Sequence, residues 1–299
     1  MNASEPRFLF FRSYPTGVEK RVPLASSMQS VDSVLLLIGL NRYPHALATC
    51  ASAIESVIKA SRVGIALGRS GGPRELIDAA RNSASDLAAF PKDALDHFRK
   101  ARNRITHYGF SPKDDPESVG LLIEVGFPFL GLCFRHLHGF DLWEGLEQDF
   151  VAQFEVAQRV YERAKGVEDL DASYCLNSLV HLIRWRLKDN FSARWELEAI
   201  ADAESSCSDS RIEQTRTLEL RFGASWTFDC PLCEYPASAV TELQDSELGD
   251  GNIIPARLVC TNCGFVVRQA ERFLGEEVLQ TDILKFKDQI LKEFGVKAG

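Results

Sequence analysis

The chain is short of positive charge. Its 34 Lys and Arg face 42 Asp and Glu, a net charge of −8 over 299 residues. That balance excludes a protein coated along its length by nucleic acid or held flat on acidic lipid, while leaving room for a local basic site. Long apolar runs are missing too. The run 34–40 is brief, and 119–134 is interrupted by Glu124 and Pro128, so neither reaches the roughly 18–20 residues of a membrane helix and no membrane association is expected. The first residues include Glu5, Arg7 and Arg12, and the apolar stretch 8–11 is too short for a secretory core. Cysteine is too sparse, eight in 299 residues, for a disulfide scaffold, and four of the eight fall into metal-ligand spacing, which fits a reducing cytoplasm. No glycine-rich phosphate loop, serine-nucleophile elbow or paired-carboxylate motif is present; Gly68-Arg-Ser-Gly-Gly72 has neither the lysine nor the spacing of a P-loop.

What the chain does have is helical periodicity. The pattern predicts helices over 27–40, 42–62, 73–90, 91–108, 117–138 with a bend at Pro128, 142–165 and 174–203. Residues 8–12 read as a short strand, and 63–72, with four glycines, as a break. Leu95, Phe98, Ala101 and Ile105 form one apolar face of the 91–108 helix, and Gly109 suits its C-terminal stop. Beyond Phe222 the pattern changes to short strand-like runs, among them 257–259 and 266–267, before helix returns over 273–294. Cys50 and Cys133 fall in apolar helical patterns and are expected in the core, and His136 and His138 read as structural. Arg184, Arg186, Lys188 and Arg194, with Trp185 and Trp195, make a helix that either stacks and pairs with RNA or is a solvated face over core tryptophans.

The basic end of one predicted helix, Lys100-Ala-Arg-Asn-Arg-Ile-Thr-His-Tyr-Gly109, carries the chemistry. Guanidinium grips phosphate with paired donors at any pH, and imidazole titrates near neutrality. In an ideal helix Arg102 and His107 lie about 140° apart and do not share a face, whereas Asn103 and His107 do. A length of side chain and a fraying helix end would be needed to converge them. The bland alternative is that Arg99, Lys100, Arg102, Arg104 and His107 only offset the helix macrodipole. Glu55, on the 42–62 helix, either pairs with Arg102 or Arg104 or is a solvated or purely structural glutamate.

The segment resembles the HEPN family (higher eukaryotes and prokaryotes nucleotide-binding), helical domains common in bacterial toxins and antiviral ribonucleases. That family carries an Arg, a polar residue and then a His near a helix end. Arg102-Asn103 followed by His107, with four residues between Arg and His, is similar. So is the alanine-rich helix Tyr43-Pro-His-Ala-Leu-Ala-Thr-Cys-Ala-Ser-Ala-Ile-Glu55, and the resemblance extends over roughly residues 27–150. It implies a homodimer whose two motifs face each other and cleave RNA without a metal. His107 would be general base or acid, Arg102 would hold the scissile phosphate, and Asn103 would position either, with Arg99 and Arg104 as further substrate-binding residues. The expected function is a toxin–antitoxin or phage-defence endoribonuclease leaving a 2′,3′-cyclic phosphate. The alternative is a non-catalytic HEPN-fold module that binds a nucleotide or a protein.

Two Cys-x-x-Cys pairs, Cys230/Cys233 and Cys260/Cys263, have the spacing of a structural zinc site. Four thiolates on two tight turns suit tetrahedral Zn²⁺ and leave no open catalytic position. The stretch 241–251 between the pairs holds Glu242, Asp245, Glu247 and Asp250 without Lys or Arg, a tip that repels phosphate. Arg257, Arg268 and Arg272 offer a basic side, and a protein partner is a further use for the ribbon. The expected fold is mainly α: an N-terminal segment 1–26, a HEPN-like helical bundle 27–165, a helical connector 166–222, a small β-rich zinc ribbon 223–271 and a terminal amphipathic helix 272–299.

Overall fold

The computed structural model describes residues 8–15, 17–18, 21–68, 72–109, 115–165, 172–188, 208–222, 224–232, 235–245, 253–263, 265–269 and 272–293. The fold is mostly helical, with one small antiparallel sheet and a terminal helix. It divides into two compact units, Met1–Gln158 with Asp171–Leu176, and Arg159–Leu170 with Asn177–Gly299.

In the first unit α1 (Val22–Gly39) starts earlier than its apolar period indicates, because Pro23 sits in the first turn, where its missing N–H costs nothing. It packs along α2 (Tyr43–Lys59), and Ser27 Oγ donates to the Ala53 carbonyl at 2.9 Å. The central helix is α2. Its buried face alternates small Ala46, Cys50 and Ala53 with Leu47, Ile54, Val57 and Ile58. The small residues bring the neighbours close, so α1, α4, α6, α7 and α8 all pack on it.

The predicted 42–62 helix ends early. Ser61 Oγ accepts from Gly64 N–H and starts a short α3 (Arg62–Leu67) inside the expected break. Gly64 lies so close to Ile58 that a Cβ would sit 2.3 Å from its carbonyl oxygen, and only glycine permits that turn. The 73–90 prediction is two helices, α4 (Pro73–Arg81) and α5 (Ser85–Ala89), clasped by the Arg81 guanidinium, which donates to the Ala88 and Phe90 carbonyls. α6 (Lys92–Tyr108) follows as expected, burying Leu95, Phe98, Ala101 and Ile105.

The 117–138 segment is also divided. α7 (Asp115–Leu121) passes through a π turn, Leu122–Gly126, into α8 (Phe127–His138). Pro128 supplies no N–H and its ring excludes the preceding carbonyl, so the ladder widens by one residue there. Gly126 fits that turn between α2 and α6, since a Cβ would meet Cys50 Sγ at 3.0 Å and the Phe98 ring at 3.1 Å. Asp141 then caps α9 (Leu142–Gly145), and α10 (Gln148–Ala164) follows.

Residues 8–12 are not a strand. A single bridge joins Phe11 to Leu146, and Asp32 holds the Leu9 and Phe10 N–H groups. Cys50 and Cys133 are buried core residues, as expected. Contrary to the reading of apolar runs, Val22–Gly39 and Pro116–His138 are long and apolar enough to cross a membrane; here 78% of the second window is buried inside the protein, as for a core helix.

In the second unit the end of α10 precedes a 3₁₀ turn (Ala172–Leu176, assigned to the first unit) and α11 (Asn177–Lys188), which buries Leu179, Val180 and Ile183. The rest of the predicted 174–203 helix, with Arg194 and Trp195, lies outside the described residues. α12 (Ser208–Arg221) leads into a meander of β1 (Ser225–Phe228), β2 (Ala239–Asp245), β3 (Ile253–Cys260) and β4 (Val266–Val267), in that spatial order. A bulge lies between Glu242 and Leu243. Residues 241–245 therefore belong to a strand, where the sequence reading had a loop. α13 (Arg272–Glu293) packs on β3 and β4 through buried Leu274, Leu279 and Ile283.

Candidate functional site

The α2–α6 packing puts Glu55 opposite Arg102. Arg102 Nη2 donates to Glu55 Oε1 at 3.2 Å, and Nη1 donates to Asn103 Oδ1 at 3.0 Å. The two charged side chains retain only 21% and 16% of their exposure, so the pair is mostly shielded, and Lys59 sits 3.8 Å from the second Glu55 oxygen. A small cavity beside it is lined by Ala51, Pro73, Ile77 and Arg99 together with Glu55 and Arg102. Arg99 is therefore on the same groove. Its Nη2 reaches Asp96 at 3.3 Å, and its buried Nε has no hydrogen-bond partner.

The other predicted residues diverge from that groove. Arg104 forms an ion pair with Glu117 on α7, whose other oxygen lies 2.8 Å from His97 Nε2. His107 is exposed on the last turn of α6, and among the described residues it makes no hydrogen bond or ion pair. Arg102 and Asn103 are thus joined by a hydrogen bond, while His107 bonds to neither. Gly109 ends the helix at φ +80° and ψ −169°, a region open almost only to glycine. His138 Nε2 meets the Val57 carbonyl at 2.8 Å, and burial holds its pKa below the ordinary value.

The second candidate centre is built by the sheet. Cys260 ends β3 and Cys230 lies two residues beyond β1. With Cys263 their sulfurs lie within 4.8 Å of one another, and Cys230 Sγ to Cys263 Sγ is 3.7 Å. That separation is far beyond a disulfide, and equals the edge of about 3.8 Å of a tetrahedron with Zn–S bonds of about 2.3 Å. Backbone N–H groups point at sulfur: Asn262 and Cys263 N–H each lie 3.3 Å from Cys260 Sγ, and Leu232 N–H lies 3.5 Å from Cys230 Sγ. Such donors favour thiolate over thiol. The three cysteines can hold a metal ion; Cys233 lies outside the described residues.

Two turns share one closure. Cys230 N–H donates to the Tyr235 carbonyl and Cys260 N–H to the Phe265 carbonyl. The sequence carries the signal as a repeated Cys-x-x-Cys-x-aromatic, Cys230 to Tyr235 and Cys260 to Phe265. Ser238 Oγ, 3.3 Å from Cys260 Sγ, has no sequence signal at all. Of the expected basic side, Arg257 faces Glu242 across the β2–β3 ladder at 3.0 Å, and so is charge-paired.

Compared with known protein families, curated proteins and solved structures, the chain matches none.

Proposed function

We infer that the first unit is a metal-independent endoribonuclease of HEPN type, acting as a toxin or in phage defence in the cytoplasm. The observation that carries the reading is the presence on one helix, α6, of a braced Arg102 and, in its last turn, a solvent-facing, uncommitted His107. Glu55 and Asn103 fix the guanidinium but take only two of its five N–H donors, leaving others for a phosphate oxygen. A donor held in advance stabilises the extra charge of a pentacoordinate transition state without reorganising.

His107 removes the ribose 2′-proton, the 2′-oxygen attacks phosphorus and the P–O5′ bond breaks, and the departing 5′-oxygen takes a proton from water. The products are a 2′,3′-cyclic phosphate and a 5′-hydroxyl, and DNA, with no 2′-OH, resists. Because His107 and Arg102 do not meet within one chain, the complete site is a homodimer in which His107 of a second copy approaches the Arg102 groove. The ribbon's role is fold support through Zn²⁺ on Cys230, Cys233, Cys260 and Cys263, with the fourth position argued from the spacing of the pairs.

The Arg102–Glu55 pair also favours a second reading, a binding module in which Arg102 is satisfied internally and the groove holds a nucleotide or a partner without cleavage. One experiment separates the two. Wild-type protein, Arg102→Ala and His107→Ala are incubated with total and transfer RNA in EDTA, with zinc content and folding checked in parallel. Cyclic-phosphate ends made by wild type alone establish the nuclease; a folded, zinc-loaded dimer that binds RNA without cutting it establishes the module.

A further inference from the structure

A groove of about 410 Å³ in the second unit is lined by five consecutive residues, 225–229, the whole of β1 and the next residue. Successive residues of a strand face opposite sides, so a space touching all of them approaches the strand edge-on. β1 is the terminal strand of the sheet, and among the described residues no strand pairs with its outer edge. Leu243 N–H donates to the Ala224 carbonyl at 2.9 Å. The alternation of an antiparallel ladder then turns the backbone groups of Ser225 and Thr227 away from β2 and into the groove.

The walls set the chemistry. On one side Glu219 of α12 accepts from Thr227 Oγ1 at 2.8 Å; on the other are Asp282, Lys285 and Phe286 of α13, with Asp229 at the end of the strand. Three carboxylates thus face one lysine. The Phe286 ring lies 6.4 Å from Trp226 and 6.4 Å from Phe228, and it already carries a cation, Lys285 Nζ, 5.0 Å from its centroid. Aromatic faces flanked by carboxylates attract ammonium and guanidinium groups.

We propose that this edge is a docking site for an extended segment of a partner protein, basic at alternate positions, which adds a strand beside β1 and lays its cations against Trp226, Phe286 and Asp282. Strand addition supplies affinity through backbone hydrogen bonds, and the acidic, aromatic walls supply selectivity. A second copy of this chain is a poorer occupant, since two-fold pairing of β1 edges sets the same carboxylates against each other. The proposal rests on the ribbon's geometry and is independent of the ribonuclease reading.

The test uses full-length, zinc-loaded protein and two labelled peptides, alternating Lys–Thr and alternating Glu–Thr, followed by fluorescence anisotropy. The Lys–Thr peptide should bind about tenfold or more tightly than the Glu–Thr peptide at low salt. Asp282→Lys should weaken it about tenfold. Lys285→Ala, by removing the resident cation, should tighten it. Thr227→Pro is tolerable on an edge strand but removes an outward N–H, and should weaken both main-chain pairing and binding. No binding of the Lys–Thr peptide, equal binding of the two peptides, binding indifferent to both Asp282→Lys and Thr227→Pro, or a dimer that Thr227→Pro dissociates would each overturn the proposal.

Discussion

Arg102 Nη2 and Glu55 Oε1 meet at 3.2 Å across the α2–α6 interface, and Asn103 holds the other guanidinium nitrogen at 3.0 Å. The pair is neither fully buried nor freely solvated, so its contribution lies between the two limits. Glu55→Ala is expected to destabilise the protein by about 1–2 kcal/mol in urea melts. The double variant with Arg102→Ala should lose less than the sum of the single losses, with a coupling of roughly 1 kcal/mol. Strict additivity would show that the two groups are adjacent without being energetically linked.

His107 predicts the opposite combination. It is exposed and, among the described residues, makes no hydrogen bond or ion pair, so His107→Ala should change stability by no more than about 0.5 kcal/mol. If the ribonuclease reading holds, the same substitution abolishes RNA cleavage. Melting curves and gel assays on one preparation give both numbers, and a variant that loses stability as well as activity would place His107 in the fold.

How much of this was legible in the chain depends on the range of the forces involved. The apolar face of α6 and the glycine at its end follow from local period and φ preference, and both are found. Cys50 and Cys133 were readable as core for the same reason. The helix breaks were harder. Interruptions were expected at the glycines of 63–72 and at Pro128, and both regions are interrupted; the form each takes, a short helix after a turn closed on Ile58 and a π turn seated between Cys50 and Phe98, depends on close packing that leaves no periodic trace. The Glu55–Arg102 pair could only be offered as one of several alternatives, since it requires the register between two helices. The two cysteine turns were legible from their spacing, whereas the aromatic residue that closes each acts through its backbone carbonyl and leaves no side-chain signature.

The cysteine centre makes a prediction about metal. Cys260 Sγ receives the Asn262 and Cys263 N–H groups and lies with Cys230 and Cys263 within 4.8 Å. With Zn²⁺ there as proposed, Cys260→Ala should eliminate it, measured by elemental analysis, and with it the amide protection of β2 and β3 in hydrogen exchange. Cys175→Ala, at a buried cysteine outside the cluster, should retain full zinc. Protection of the sheet unchanged in metal-free protein would mean that the hydrophobic contacts of α13 with β3 suffice.

Asp32 gives a pH prediction with a definite sign. Its carboxylate accepts the Leu9 and Phe10 N–H groups at 2.8 and 3.1 Å, but the residue is only 6% exposed. Burial pushes its pKa up from 3.8 to about 6, and the two N–H donors only partly oppose that rise. The folded protein therefore holds this proton more tightly than the unfolded chain does. The resulting stabilisation is fully present below pH 3.8 and is lost as pH rises through about 6. A shift of about two units corresponds to on the order of 3 kcal/mol. Asp32→Asn keeps the shape and one acceptor but cannot ionise. The stability of wild type relative to Asp32→Asn should fall by that order between about pH 4 and pH 7, as read by denaturant titration across the range. A difference between the two proteins that stays constant with pH would show that the Asp32 carboxyl does not titrate in this window, and that the N-terminal segment is held by a carboxylate ionised throughout.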